Sequence, residues 1–234
     1  MGVTRHGRRM TFSIAGRCEK SGAFGVAITT SSIAVGARCP HVRAGVGAVA
    51  TQNVTDPRLG PLLLDYMQDG LNAREAIAAV IRNRAHVEHR QLTAVDQYGN
   101  SASYSGQHIL GTYGVSEARN CVAAGNLLKS AVLPRAMTDS FVSSANQHLA
   151  ERLMRALEAG IASGGEEGPV HSAALVVCHE QEFPLVSLRV DWDDVDPIAK
   201  LRQLWTDYKP QMAAYLQRAI DPTQAPSYGV PGDP

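Results

Sequence analysis

Met10-Thr11-Phe12-Ser13-Ile14, followed by Gly25-Val-Ala-Ile-Thr-Thr-Ser-Ser32 and Gly45-Val-Gly-Ala-Val-Ala-Thr-Gln52, is the stretch that decides the fold. Residues 11–17 alternate in part, residues 24–32 are β-branched and apolar, and turn chemistry around Gly22 lies between them, which predicts a hairpin. Residues 33–38 and 42–51 read as a second pair, turned at Cys39-Pro40. Gly45 and Gly47 mark a bulge or a close backbone approach there.

Two helices follow in the pattern. Asp56-Pro57 opens residues 59–69, whose apolar face is Leu62, Leu63, Tyr66 and Met67, and Gly70 closes it. Asn72 with Glu75 three residues on forms a capping box for residues 73–84. Residues 91–96 and 101–104 then form a hairpin across Gln97-Tyr-Gly-Asn100, and residues 121–127 a short strand running into Gly125-Asn126. Further helices are predicted over 131–143 and 149–162, then a flexible acidic loop, Gly164-Gly165-Glu-Glu-Gly168. A last hairpin spans 172–178 and 185–191, with amphipathic helices near 197–207 and 211–220. The Pro/Gly-rich residues from 221 onward read as a disordered tail after a single domain over 11–220. Helices fall in blocks between hairpins, so the expected class is α+β with two mainly antiparallel sheets between helical layers, not a doubly wound parallel sheet.

The 234 residues carry 22 basic and 22 acidic side chains. That balance argues against nucleic acid as a partner. No apolar run approaches about 18 residues, so no membrane span is expected. The basic opening Arg5-His-Gly-Arg-Arg9 lacks a following apolar segment, and a cytoplasmic protein is expected. Cys18, Cys39, Cys121 and Cys178 are far apart, which predicts reduced thiols and neither a disulfide framework nor a metal knuckle. His86-Val-Glu-His89 has no third ligand at recognisable spacing and reads as a polar helix end. No metal and no cofactor is expected, and Gly45-Val-Gly47 lacks a nucleotide-binding pattern.

Thr11-Phe-Ser-Ile-Ala, Gly22-Ala-Phe-Gly-Val-Ala-Ile, Ala34-Val-Gly-Ala and Ala44-Gly-Val-Gly-Ala-Val-Ala-Thr-Gln52 together resemble a bacterial family of unknown function. It is filed as DUF1028 within the N-terminal nucleophile (Ntn) hydrolase superfamily. The resemblance continues through Gly125-Asn126-Leu127-Leu128, Gly164-Gly165 and Ser172-Ala-Ala-Leu-Val to Leu188-Arg-Val-Asp191. It implies a four-layer αββα sandwich and hydrolysis of an amide C–N bond, linear or cyclic. The substrate expected is a small, anionic metabolite. Two departures stand out: His41 occupies a place where the family usually carries Trp, and the loop at 164–168 lacks the family's arginines.

Against that resemblance, Thr11 is the candidate nucleophile. A threonine hydroxyl is activated when its own α-amine, titrating at about 8, takes its proton. This requires residues 1–10 to be an extension that is removed or a mis-assigned start; initiation at Met10 and loss of that methionine would suffice. Asn126 is the candidate oxyanion donor, although Gly125-Asn126 reads equally as a turn. Ser31, where related enzymes hold an acid, is a candidate orienting group, with Ser32 beside it. Arg43 is a candidate anchor for an anionic group, ahead of Arg17. Gln52, His41, His171 and Ser172 are candidate substrate contacts, each also readable as strand-end or loop structure. The alternative is a non-catalytic binding or assembly protein of the same fold. The amphipathic C-terminal helices suggest a homo-oligomer.

Overall fold

The computed structural model describes residues 10–230. The expected extension before Met10 and the last four residues of the expected tail lie outside the described residues. β1 (Thr11–Arg17) and β2 (Phe24–Thr30) form the first hairpin. Next come β3 (Pro40–Arg43), β4 (Gly47–Asn53), α1 (Leu59–Gln68), α2 (Ala73–Asn83), β5 (Arg90–Asp96) and β6 (Ser101–Ser105). The chain continues through β7 (Gly114–Ala118), β8 (Cys121–Asn126), α3 (Leu133–Ser143) and α4 (Leu149–Ala162). It closes with β9 (Ser172–Cys178), β10 (Val186–Val190), α5 (Pro197–Tyr208) and α6 (Met212–Ile220). The six-stranded sheet runs β10-β9-β2-β1-β8-β7 and the four-stranded sheet β3-β4-β5-β6, with every pairing antiparallel.

Strand periodicity sorts the core. Phe12, Ile14, Ala123, Leu175 and Val177 point toward α3, α4 and α5, packing with Met137, Phe141, Leu153 and Trp205. Val49, Leu92 and Ala94 point toward α1 and α2, against Leu63, Met67, Ile77 and Val80. The alternate residues face the opposite sheet: Ala15, Val26, Ile28, Val122 and Ala174 from one, Ala48, Ala50 and Val95 from the other.

Followed along each strand, these inward faces change character at one end of the molecule. Two residues from Ala15 stands Ser13, and two further Thr11; Ile28 is succeeded by Thr30, Ala50 by Gln52. Val95 is preceded by Thr93 and Gln91, Ala174 by Ser172, and Val122 leads through Ala124 to Asn126. All of these polar side chains are buried. Because neighbouring strands are antiparallel, starts of β1, β5 and β9 meet ends of β2, β4 and β8, so six strands deliver their polar residues to one place.

Three expectations change. Residues 33–38 are not a strand: Ala34 takes a left-handed φ of 53°, Val35–Ala37 form a 3-10 turn, and Ala34 N–H donates to Asp191 O at 2.9 Å. The β3–β4 turn therefore falls at residues 44–46, where Gly45 has φ +72°, instead of at Cys39-Pro40. β7 has no counterpart in the sequence reading; it is a half-exposed edge strand whose Gly, Ser, Glu and Ala carry little strand signal. The acidic loop is pinned, not free: Lys129 N–H donates to Gly165 O and Glu167 N–H to Leu127 O, and Glu166 bridges Leu128. The capping box is present, with Asn72 and Glu75 each accepting the other's backbone N–H. Beyond α6, a 3-10 turn at Pro222–Gln224 continues the chain, and Arg218 lies 3.7 Å over the Tyr228 ring. Among the described residues no helix is long and apolar enough to cross a membrane.

Candidate functional site

At the polar end of the inter-sheet layer opens a cavity of about 820 Å³. Thr11, Ser31, Gln52 and His171 line it, together with Thr30, Arg38 and Trp192, which the sequence reading did not single out. Thr11 is the first residue of β1 and 7% exposed.

The hydrogen bonds around Thr11 have a defined direction. The Thr30 hydroxyl donates to the Met10 carbonyl, so its single proton is committed. The Thr11 hydroxyl, 3.0 Å from Thr30 Oγ1, is then the donor of that pair and keeps its own lone pairs unengaged there. Ser31 N–H also donates to Met10 O at 3.3 Å, and Ser31 Oγ accepts from Met10 N–H at 2.9 Å. The carbonyl carbon next to the Thr11 nitrogen thus carries an oxygen held by two donors.

Behind Thr11 lies a buried amide relay. Gln91 Nε2 donates to the Gly125 carbonyl at 3.2 Å, and a carbonyl only accepts, which fixes the orientation of the Gln91 amide. Gln91 Oε1 must then accept, from Gln52 Nε2 at 2.8 Å and Asn126 Nδ2 at 3.2 Å. Gln52 Oε1 in turn accepts from Ser13 Oγ–H at 2.6 Å. Asn126, the register partner of Thr11, therefore has its amide nitrogen engaged with Gln91 while its Oδ1 is buried without a donor. Gln91 was not a candidate; only the register that sets it opposite Gln52 reveals it.

Arg43, His41 and Ser172 do not line this cavity. Arg43 sits at the end of β3, bonded to Asp65 at 2.8 Å and Gln68 at 2.6 Å. The His41 ring packs on α1, where a Cβ at Gly60 would come within 2.0 Å of it, and burial depresses its pKa. Ser172 is fully buried and ties two backbones, donating to Ser32 O at 2.6 Å and accepting from Val35 N–H at 3.2 Å. Arg17, on the far end of β1, donates to Asn120 Oδ1 at 3.2 Å.

His171 and Trp192 also line the cavity, stacked with centroids 4.3 Å apart and planes 7° from parallel. His171 Nδ1 lies 3.1 Å from the Asp193 carbonyl, so that nitrogen carries a proton. All four cysteines are free and buried; burial pushes Cys39, which lines the cavity, up to about 11, so it is a thiol at neutral pH. Among the described residues no cluster of three His, Cys, Asp or Glu is placed to hold a metal ion.

A second cavity of about 620 Å³ lies between the end of α4 and the start of α5. Glu166 belongs to its lining, 2% exposed, with neither carboxyl oxygen bonded. Burial raises its pKa well above the ordinary carboxyl value, because the charged form loses its hydration there. Pro169 borders both cavities, and Met10, 2% exposed, packs against Gly168 between them.

Comparison with known proteins gives one broad likeness. The model of a family of unknown function, DUF1028, matches residues 11–201. The crystal structure of protein SPO2555 from Silicibacter pomeroyi, of the same family, is 31% identical, with 86% of this chain and 89% of that one covered at a TM-score of 0.79. Anbu (ancestral beta-subunit) from Yersinia bercovieri is 12% identical, with 87% and 97% covered at a TM-score of 0.38. An Anbu mutant from Hyphomicrobium sp. strain MC1 is 10% identical, with 88% and 99% covered at 0.39. Likeness at that level carries no functional argument. No curated protein matches.

Proposed function

The chain belongs to the DUF1028 family, and from that premise we propose that it is an Ntn-type amidohydrolase of αββα architecture with Thr11 as its nucleophile. The observation that carries the reading is the Thr11 hydroxyl at the wall of the polar cavity, donating to Thr30 beside a carbonyl held by two donors.

In the working form Thr11 is the first residue. Its α-amine takes the hydroxyl proton as Oγ1 attacks the amide carbonyl of the substrate. Loss of Met10 leaves the Thr30 hydroxyl and Ser31 N–H without the oxygen they now hold. The substrate carbonyl takes that place, and the developing oxyanion is stabilised by donors already oriented. Asn126 Oδ1, the buried acceptor lacking a donor, receives an N–H of the freed amine. The amine then protonates the leaving nitrogen, and water releases the acyl group from Oγ1.

A second reading draws on the same residues. Met10 is almost wholly buried, with both its N–H and its carbonyl bonded to the β2 end. A chain that kept its leader would have an amide in place of the base and would act as a binding or assembly module. Intact mass of protein from its native host separates the two. A chain starting at Thr11 supports catalysis, and one retaining Met10 supports binding. For the first reading, protein starting at Thr11 is assayed for hydrolysis of a panel of N-acyl amino acids. Turnover abolished by Thr11→Ala is expected; turnover untouched by it would exclude the mechanism.

A further inference from the structure

The charge and aromatic content of the Thr11 cavity narrow what it binds, resting on the reading of that cavity as the substrate site. Among the described residues that line it, Arg38 alone carries a permanent charge, and none is Asp or Glu. Arg38 is half-buried, follows the 3-10 turn, and donates one Nη1 bond, to Ile33 O at 2.7 Å. No carboxylate pairs with it among the described residues, whereas Arg43 is neutralised by Asp65 and Arg189 by Asp191. A guanidinium retains donors for a planar carboxylate after one such bond.

The same cavity carries a flat surface. Trp192 is 48% exposed, yet it is held rigidly by His171 stacked on one face and by Nε1–H donating to Asp194 Oδ1 at 3.0 Å. An indole fixed in this way, with apolar area still open to solvent, is suited to receive a planar group. The cavity volume falls within the range of small-molecule sites.

We propose that the cavity takes small carboxylates bearing a planar unsaturated or aromatic group, with Arg38 binding the carboxylate and Trp192, backed by His171, stacking on the plane.

Binding can be tested apart from catalysis in the Thr11→Ala chain, by calorimetry with hippurate, N-benzoylglycinamide and N-acetylglycine. Hippurate is expected to bind at least about tenfold more tightly than either analogue. Arg38→Gln should remove its advantage over the uncharged amide, Arg38→Lys should restore part of it, and Trp192→Ala should remove its advantage over the acetyl compound. Hippurate should also change the emission of Trp192, whereas Trp205, 1% exposed, lies in the core and is left unaffected. Failure of hippurate to bind saturably, or equal affinity in wild type, Arg38→Gln and Trp192→Ala, would overturn the assignment. Either result leaves the role of Thr11 to be decided by turnover alone.

Discussion

The two ends of the inter-sheet layer use the same strands for opposite purposes. At one end Ala15, Val26, Ile28, Ala48, Ala50, Val95 and Val122 make a dry contact between the sheets. At the other, Ser13, Gln52, Gln91, Thr93 and Asn126 occupy equivalent inward positions and are just as buried. Burying amides and hydroxyls there gains less than burying methyl groups, and Thr93 Oγ1 and Asn126 Oδ1 have no partner at all. The apolar end holds the sheets together, while the polar end shapes a cavity around Thr11.

That contrast can be broken from either side. Ile28→Ala at the dry end is expected to lower unfolding free energy by about 2–5 kcal/mol in urea, through lost burial and the cavity left behind. Its effect on the function of the remaining folded molecules should be small. Gln91→Leu at the polar end leaves Gln52 Nε2, Asn126 Nδ2 and the Gly125 carbonyl without their partner. A stability loss of about 1–3 kcal/mol is expected, with a larger loss of turnover than Ile28→Ala produces. If the two substitutions reduce turnover equally, the division between the ends is wrong.

Glu166 sharpens the comparison through pH. Its folded-state pKa is raised by burial, so the native carboxyl keeps a proton that the unfolded chain releases near 4.5. Stability from this group is full below that pH and falls as pH rises toward the folded pKa, by at most about 1.4 kcal/mol per pH unit. Glu166→Gln should remove that slope and raise stability at neutral pH. Smallest in effect, Asn72→Ala breaks the α2 capping box and should cost about 1 kcal/mol, with no change at the cavity.

The architecture was largely legible because alternation with period two and cap residues are local signals. β1, β9, α4 and the capping box of α2 could be read from neighbouring residues alone. The site was only half legible. Thr11, Ser31, Gln52 and His171 mark strand ends that reach the cavity, and the sequence shows strand ends. Gln91 and Thr30 matter through register, a property of pairs of strands. Arg38 follows a 3-10 turn where the residue pattern suggests a strand, and Trp192 lies just past the last strand. Glu166 sits among glycines that suggest exposure, and only packing against the β8 end explains its burial.

The mechanism depends on an uncapped Thr11, and an activated ester tests it without knowledge of the natural substrate. Protein starting at Thr11 should release a burst of about one equivalent of p-nitrophenolate from p-nitrophenyl acetate. The burst should vanish both in Thr11→Ala and in protein retaining residues 1–10. A burst of equal size from either of those two proteins would contradict the account.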